Sequence, residues 1–495
     1  MKIPLFSVVL LAAVLQLRAA DAQKPNFLVI MGEAQGWASM STPMDDAVPE
    51  SRSSLAKTPA LDRLAAGGMR FANFYAASPR CTPTRAALFT GRSPAALGMT
   101  FVGEGKGGRE STFNDEGSRL LPPEFTSEMP EKDATVAELL HRTGYATAHF
   151  GKWHVGRANP SVHGFEENDG PNNNGGPENV ENPNPKQAFG ITEKGMDFMA
   201  RQVKEGKPFY LQVSHYAGRG AGGARPETYS DVRRRMKPGQ ERLAELVAVA
   251  EDMDATVGQL LAKLDALGIA GNTYVIYTAD HGSQGRDVNG PLTGGKGSVW
   301  EGGIRVPLVV RGPGVKAGAC SQVRASTVDI LPTMTALAGV REKLSAQIEG
   351  GSLAQVLSGA AAASVSRSRV ELVIHFPHYD KDGAGPASAI LSGNDKLVRI
   401  FETDARRLFD LSKDRSERND LAKDAPARVA ELDGKLTKYL EQVGGRLPVR
   451  NPSFDPAKAG GEGERKGGMG GGGKGGGGKG GAGKGGKGKE AQDAS

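Results

Sequence analysis

The sequence predicts an α/β fold built on a largely parallel sheet covered on both faces by helices. Two patterns carry this. Short β-rich runs recur at residues 27–31, 70–75, 146–150, 209–213, 274–278 and 307–310, and helical patterns separate several of them. Strands that alternate with helices belong to parallel sheets, because a parallel connection must cross over the sheet face. The length, 495 residues at 38% hydrophobic and 24% charged, is enough for two or three domains with real cores and excludes a disordered chain.

The elements are read in order. The run 27–31 is continuous apolar sequence, as a doubly covered strand should be. Thr135 caps a helix whose apolar residues Val136, Ala137, Leu139 and Leu140 follow helical spacing until Gly144 stops it. The longest helix is expected over 241–267. There Leu243, Leu246, Val247, Val249, Ala250, Met253, Val257, Leu260, Leu261 and Leu264 form one apolar face.

The two ends read differently. Lys2 precedes an apolar run from Ile3 to Leu17, and Ala20-Asp21-Ala22 offers small residues at cleavage spacing, so residues 1–22 are expected to be a secretory signal and the protein secreted or periplasmic. An uncleaved anchor is the other reading, but the apolar run is short for a membrane span. Between Arg465 and Lys489 lie sixteen of the 69 glycines and seven Lys or Arg, with no acid. Removing those seven charges from the formal +6 leaves about −1 for the rest. The basic balance therefore belongs to a flexible tail, within a segment 451–495 expected to build no core. It is no reason to expect nucleic-acid binding, although such a tail can touch an anionic polymer or envelope.

Ligands of open α/β sheets bind beyond the carboxyl ends of the strands. Four predicted strands empty polar residues there: Gly32-Glu33-Ala34-Gln35, Gly151-Lys152-Trp153-His154, Ser214-His215-Tyr216 followed by Arg219, and Ala279-Asp280-His281-Gly282. A fifth component is Cys81-Thr82-Pro83-Thr84-Arg85, a cysteine opening a helix with Pro in its first turn. Helix N-termini favour anions, so Cys81 reads as a thiolate nucleophile. Counting alone equally allows a disulfide with Cys320, the second of two cysteines.

Cys81-Thr82-Pro83-Thr84-Arg85, continued by Leu88-Phe89-Thr90-Gly91-Arg92, resembles the C-x-P-x-R signature of type I sulfatases, bacterial arylsulfatase-like. Gly151-Lys152-Trp153-His154, Thr278 to Gly282, and Gly294-Gly295-Lys296-Gly297 leading to Glu301-Gly302-Gly303-Ile304-Arg305-Val306-Pro307 follow in that family's order. The resemblance runs from about Pro25 to Leu421 and includes His375 to Tyr379, Lys396-Leu397 and Leu408 to Leu411. It implies an alkaline phosphatase-like α/β catalytic domain over 23–345, with a mostly parallel central sheet between helices, and a small C-terminal subdomain with an antiparallel sheet over 346–450.

The resemblance also implies a chemistry. Cys81 would be oxidised by a formylglycine-generating enzyme, and the hydrated aldehyde would attack the sulfur of a sulfate ester and later expel sulfate. Arg85 would hold this group, Lys152, His154 and Lys296 would contact sulfate, and His215 and Arg219 would lie on the substrate side. A divalent cation, calcium in most of the family, would be bound by Glu33, Asp280, His281 and the modified Cys81. The implied substrate is a sulfated small molecule or glycan, and Gly-, Asn- and Pro-rich loops at 101–130 and 157–190, with His375 and His378, would shape the mouth.

Two positions depart from the family. Glu33-Ala34 stands where two adjacent aspartates are usual, so one carboxylate is lost and metal binding should weaken. Arg219 stands where bacterial relatives often carry His, and a guanidinium cannot protonate a leaving alcohol. These losses keep open a homologue that binds sulfated glycan without turnover. Another ester hydrolase of the same superfold is the further alternative.

Overall fold

Seven consecutive buried residues make up β1 (Asn26–Gly32), which lies inside an eight-stranded sheet. The structure, a computed structural model, describes residues 24–103, 113, 116–173, 185–216, 223–381 and 385–459. The expected signal at 1–22, the Gly/Lys stretch 465–489, Arg219 and parts of both loops expected at the mouth lie outside the described residues. The other strands of the sheet are β2 (Met69–Phe71), β3 (Ala146–Gly151), β4 (Glu167–Asn168), β5 (Phe209–Ser214), β6 (Thr273–Ala279), β7 (Leu308–Arg311) and β8 (Ala319–Ser321). Their order is β8-β2-β7-β6-β1-β5-β3-β4. β1 runs parallel to β5 and β6, with Phe27 opposite Tyr210 and Tyr274, and β3 runs parallel to β5 and β4. Only β7 is reversed, lying antiparallel to β6 and β2.

Side chains of β1 alternate between two cores. Phe27, Val29 and Met31 pack with Phe89, Leu140 and Leu331. These come from α2 (Cys81–Thr90), α3 (Val136–His141) and α7 (Ile330–Leu337), numbered here with α1 (Pro59–Ala66), α4 (Ala188–Glu205), α5 (Pro226–Arg235) and α6 (Glu241–Ala266). Leu28 and Ile30 pack on the other face with Leu64 of α1, Met199 of α4 and Leu260 of α6. α3 carries the expected cap: Thr135 Oγ1 accepts from Glu138 N and Glu138 Oε2 accepts from Thr135 N. α6 matches the expected helix to within one residue.

The run 70–75 is not one strand. Residues 69–71 enter the main sheet as β2, whereas Phe74–Tyr75 pair with Ala325–Ser326 in a separate ladder. The break falls at Ala72-Asn73, where Arg305 Nη1 donates to Ala72 O (2.7 Å) and Asn73 Oδ1 (2.6 Å) and turns the chain.

Beyond the main sheet, β9 (Leu372–Phe376), β10 (Ala387–Ser392), β11 (Asp395–Ile400) and β12 (Ala405–Asp410) form an antiparallel meander. Ile390, Leu397 and Leu408 bury one face under Leu432, Leu436 and Leu440 of α8 (Pro426–Val443). On the other face Phe376, Ala389, Val398 and Phe409 share a core with Tyr75, Cys81, Phe101 and Trp300. The small sheet thus packs against the segments that carry the proposed nucleophile. His375, expected at the mouth, is spent inside this packing, whereas His378 is packed here on one side and lines a hollow between residues 95–101 and 122–127 on the other. His375 shares hydrogen bonds with Ser388 Oγ (2.6 Å) and Arg446 O (2.9 Å), and His378 Nε2 with Thr100 Oγ1 (2.8 Å).

A buried ion chain ties the small sheet to the segment that follows Lys296. Lys396 Nζ on β11 lies 2.9 Å from Glu301 Oε1 and 2.7 Å from Glu417 Oε1, all three side chains being inaccessible. Glu301 Oε2 in turn pairs with Arg305 Nε (2.6 Å), and Glu417 Oε2 accepts from Glu301 N (2.7 Å). Burial would raise Glu301, but Lys396 and Arg305 hold it down to about 2, whereas burial pushes Glu417 up to about 7. Lys396→Met leaves these carboxylates facing each other without their ammonium. We expect it to cost about 3–5 kcal/mol of unfolding free energy by urea titration. A loss under about 1 kcal/mol would show that the chain carries no stability.

Candidate active site

The carboxyl ends of β6, β1, β5 and β3 are neighbours in the sheet, so the residues that follow them meet at one edge. Glu33 and Ala34 follow β1, Lys152 and His154 follow β3, His215 follows β5, and Asp280 and His281 follow β6. Glycine is required at two of these exits. A Cβ on Gly151, at φ +94°, would stand 2.0 Å from Ser214 O, and one on Gly282 would stand 1.8 Å from Gly302 O. The first closeness lets Lys152 N donate to Ser214 O (2.9 Å), and the second brings in the Gly294–Gly303 segment that carries Lys296.

Cys81 opens α2 and is 1% exposed. The turn before it is locked by Thr84, whose Oγ1 donates to Ser78 O (2.9 Å) and accepts from Ser78 N (3.2 Å). Gly297 N donates to Pro79 O (3.0 Å) and Lys296 N to Ser283 O (3.1 Å), fastening the Lys296 loop to both flanks. His154 adopts φ +57°, unusual for a side chain larger than glycine, and its N donates to Asn172 O (2.9 Å). Burial and Glu33 would raise the Cys81 thiol, but Lys152, His154 and Lys296 hold it well below the usual thiol range.

Beside Cys81 the charges are densely paired. Glu33 Oε2 lies 2.6 Å from Lys152 Nζ and 3.2 Å from Arg85 Nη2, and Glu33 Oε1 lies 3.5 Å from Lys296 Nζ. Arg85 also donates to Asp280 Oδ2 from Nε (3.2 Å) and Nη2 (3.0 Å), and from Nη1 to Lys152 O (2.7 Å). Arg85 therefore grips the two carboxylates, where the resemblance implied that it would hold the residue at 81. Burial would raise the Glu33 carboxyl, yet Lys152, a hydrogen bond with Asp280 and Lys296 keep it well below the usual range. Burial and the Glu33 charge push Asp280 up to about 6.

The donor set fits a divalent cation. Glu33, Cys81, Asp280 and His281 each offer a ligand atom, and these atoms all lie within 4.8 Å of one another. His281 Nδ1 is occupied by Gly282 O at 2.9 Å, which aims Nε2 inward. Nε2 is buried without a hydrogen-bond partner, 3.5 Å from Asp280 Oδ1 and 3.6 Å from Glu33 Oε1. Ligand atoms about 2.3–2.6 Å from a calcium ion and at right angles stand about 3.3–3.7 Å apart, which is this spacing. Ala34, at φ +54°, adds only its backbone, its N donating to Asp280 Oδ1 (3.1 Å). Gln35 donates its Nε2 back to Glu33 O (3.3 Å).

A family profile described as Sulfatase matches residues 25–340, well over half the chain. The chain belongs to the sulfatase family. A second profile, N-sulphoglucosamine sulphohydrolase, C-terminal, matches residues 295–445. Among curated relatives, N-acetylgalactosamine-6-sulfatase of Sus scrofa is 32% identical over 374 residues, covering 66% of this chain and 65% of the relative. Arylsulfatase A of Bos taurus is 30% identical over 367 residues, covering 65% and 66%. The chain thus spans about two thirds of the length of these relatives. Among solved structures, Ps i-CgsB in complex with a neocarrahexaose superposes with a TM-score of 0.68 at 22% identity, covering 90% of this chain and 100% of that one. A structure solved with its substrate D-glucosamine-2-N,6-O-disulfate superposes at 0.64 and 21%, covering 85% and 98%. At such identities these two speak for the fold, alkaline phosphatase-like with its small antiparallel sheet.

Of the residues singled out in the sulfatase motifs, the structure brings together Glu33, Cys81, Arg85, Lys152, His154, Asp280, His281 and Lys296. His215 is not among them. Its Nε2 shares a hydrogen bond with Thr256 Oγ1 (2.9 Å) of α6, and burial pushes its ring down to about 4. Arg219 lies outside the described residues. Cys81 and Cys320 are free thiols, and Cys320 sits in β8 with its Sγ toward Met44 O. One pair went unread in the sequence: Arg80, immediately before Cys81, forms a fully buried ion pair with Asp380 from the segment after β9. The only signal was a charged residue flanking each motif.

Two outcomes are expected. Ala34→Asp restores a second adjacent carboxylate and should bind calcium about tenfold more tightly by calorimetry than the wild type; equal affinity would refute the lost-ligand account. The His215 ring should remain neutral by NMR down to about pH 5. Its contribution to stability is then complete above about 6.5 and is lost as pH falls toward about 4, because only the unfolded chain takes up the proton in that window. A ring that titrates above pH 6 would contradict its burial.

Proposed function

We propose that this chain is an exported sulfatase that hydrolyses a sulfate ester carried on a carbohydrate, through a formylglycine formed from Cys81 and with a bound calcium ion. The observation that carries this reading is the burial of Cys81 at the start of α2 among Lys152, His154 and Lys296, with Arg85 behind them. Membership of the sulfatase family supports sulfate-ester hydrolysis. The carbohydrate is supported by the sugar sulfatases among the relatives and by the sugar ligands of the superposed structures.

Once modified, residue 81 would supply the attacking oxygen, and the cation held by Glu33, Asp280 and His281 would polarise that oxygen and the sulfate. The chain's own residues do the rest. Lys152 and Lys296 bring two ammonium groups to the place where a sulfate must lie and neutralise charge that shifts to its oxygens. Arg85 holds the Glu33 and Asp280 carboxylates at their spacing, leaving their other oxygens toward His281. His154, locked by Asn172, lines the recess beside Thr82 and is placed to exchange a proton with a leaving oxygen. Maturation would require a formylglycine-generating enzyme, and export rests on the apolar N-terminal run. Among the described residues no helix is long and apolar enough to cross a membrane.

One observation favours a second reading, binding without turnover. The Glu33 carboxylate already pairs with Lys152 and approaches Lys296, so part of the charge that would meet sulfate is spent internally.

Mass spectrometry of the peptide spanning residues 81–92, from protein made in its native host, should show the aldehyde in place of the thiol, with sulfate released from p-nitrophenyl sulfate. Cys81→Ala should reduce kcat at least about a thousandfold. An unmodified thiol in native protein would sink the formylglycine reading. Retention on sulfated polysaccharide without sulfate release, despite the aldehyde, would select the binder.

A further inference from the structure

Four consecutive peptide N–H groups at the exit of β3 each find an acceptor on another segment. Gly151 N donates to Asp169 Oδ2 (2.9 Å), Lys152 N to Ser214 O (2.9 Å), Trp153 N to Asn172 Oδ1 (3.0 Å) and His154 N to Asn172 O (2.9 Å). Three of these acceptors belong to residues 169–172, the turn that leaves the edge strand β4. The turn is fixed from within and from outside. Gly170 sits at φ +81°, Asn172 N donates to Gly170 O (2.9 Å), and Asn172 Nδ2 donates to Asp169 O (3.4 Å). Asp169 Oδ1 lies 2.6 Å from Lys194 Nζ of α4, which ties the turn to a helix of the main layer. Neither Asp169 nor Asn172 belongs to the motifs that carry the family resemblance.

The two catalytic side chains of this exit depend on the turn to different degrees. Lys152 has anchors of its own: its N is held by Ser214, its carbonyl oxygen accepts from Arg85 Nη1 (2.7 Å), and its Nζ lies 2.6 Å from Glu33 Oε2. His154 lacks comparable support. Its Nδ1 is buried with no hydrogen-bond partner among the described residues, so the direction of the ring follows the backbone that carries it. That backbone is at φ +57°, a conformation that a residue with a Cβ adopts rarely and keeps only where its surroundings enforce it. Asn172 supplies the enforcement, because its side-chain and main-chain oxygens accept from the two successive N–H groups, of Trp153 and of His154 itself. Pro171 and Asn173, on either side of Asn172, line the same recess as His154.

We infer that Asn172 is a positioning residue for sulfate-ester cleavage: by binding the peptide groups of Trp153 and His154 it keeps the His154 ring directed into the recess, where it gives a proton to the leaving oxygen. The inference rests on the sulfatase reading and adds a residue outside the motifs, acting through His154 alone.

The full chain and its variants Asn172→Ala, Asn172→Asp, His154→Ala and the double variant are assayed on phenyl sulfate and p-nitrophenyl sulfate, with rates referred to the aldehyde content of each preparation. Asn172→Ala should lower kcat about thirtyfold on phenyl sulfate and less than about fivefold on p-nitrophenyl sulfate, because the more basic leaving oxygen needs the proton more. KM should stay within about twofold, since Lys152 and Lys296 keep their own anchors. Asn172→Asp retains an acceptor oxygen and should recover kcat to within about threefold of the wild type. In the His154→Ala background, Asn172→Ala should cost less than about threefold further. Should Asn172→Ala not fold, Asn172→Ser takes its place. Unchanged kcat, equal losses on both esters, a loss carried by KM, losses that multiply in the double variant, or no recovery with Asp overturns the inference and leaves the sulfatase reading intact. If the wild type releases no sulfate from either ester, that reading has failed. Positioning is then judged by the His154 ring C–H signal in NMR spectra, identified by its loss in His154→Ala: a displacement in Asn172→Ala that Asn172→Asp reverses supports it, and an unmoved signal overturns it.

Discussion

Glu33 is the counter-charge around which the site is assembled. Arg85, Lys152 and Lys296 arrive from a helix, a strand end and a glycine-rich loop, and each places its charged end within 3.5 Å of this one carboxylate. Three buried cations without such a partner would repel one another and lose their hydration together, a penalty of several kcal/mol for each charge. Asp280 completes the balance through Arg85. Two carboxylates thus stabilise the cationic cradle and, by the oxygens they turn toward His281, define the place for a metal ion. The aspartate pair usual in the family would do this with shorter arms. Glu33 does it with one extra methylene, and Ala34 contributes a backbone N–H where a second carboxylate would stand.

The cradle depends on the second sheet. The loop that carries Lys296 has few side chains of its own to pack and is held through Glu301, whose carboxylate is shared by Arg305, Tyr75 and the Lys396 ammonium of the small sheet. Thr293 at the start of the same loop donates to Ser416 O, next to Glu417. On the opposite side Asp380 pairs with Arg80 and pins the residue that precedes Cys81. The C-terminal sheet is therefore a brace for both the Cys81 and the Lys296 segments, and the shared core of Phe376, Val398 and Phe409 with Cys81 and Trp300 makes the same connection in apolar contacts.

Much of this was legible because the motifs are local. Lys152 and His154 follow a β-rich run and Gly151, Asp280 and His281 follow another such run and precede Gly282, and parallel strands carry such exits to one edge whatever their order. The sequence could not say what each long side chain would touch. Arg85 reads as a partner of Cys81, from which it is just over one helical turn away, yet its guanidinium reaches across to Glu33 and Asp280. His215 follows a strand as His154 does, but its ring turns into α6 and bonds Thr256. His375 and His378 were expected near the mouth, and their rings are buried with hydrogen bonds to Ser388 and Thr100. The run 70–75 looks like one strand until Arg305, more than two hundred residues later, claims the carbonyl at its middle.

Strand and helix periodicity, the nucleophile motif and the glycines at strand exits were determined by the sequence alone. These are properties of neighbouring residues, set by side-chain spacing and by backbone conformations that only glycine adopts freely. Tertiary structure decided the partners of the buried charges and the bracing of the Lys296 loop by Lys396 and Glu417. These contacts join segments distant in the sequence, such as Glu33 with Lys296, 263 residues apart, and Arg80 with Asp380, 300 apart, and burial fixes their pairing because a charge removed from water must take whichever opposite charge the packing brings to it.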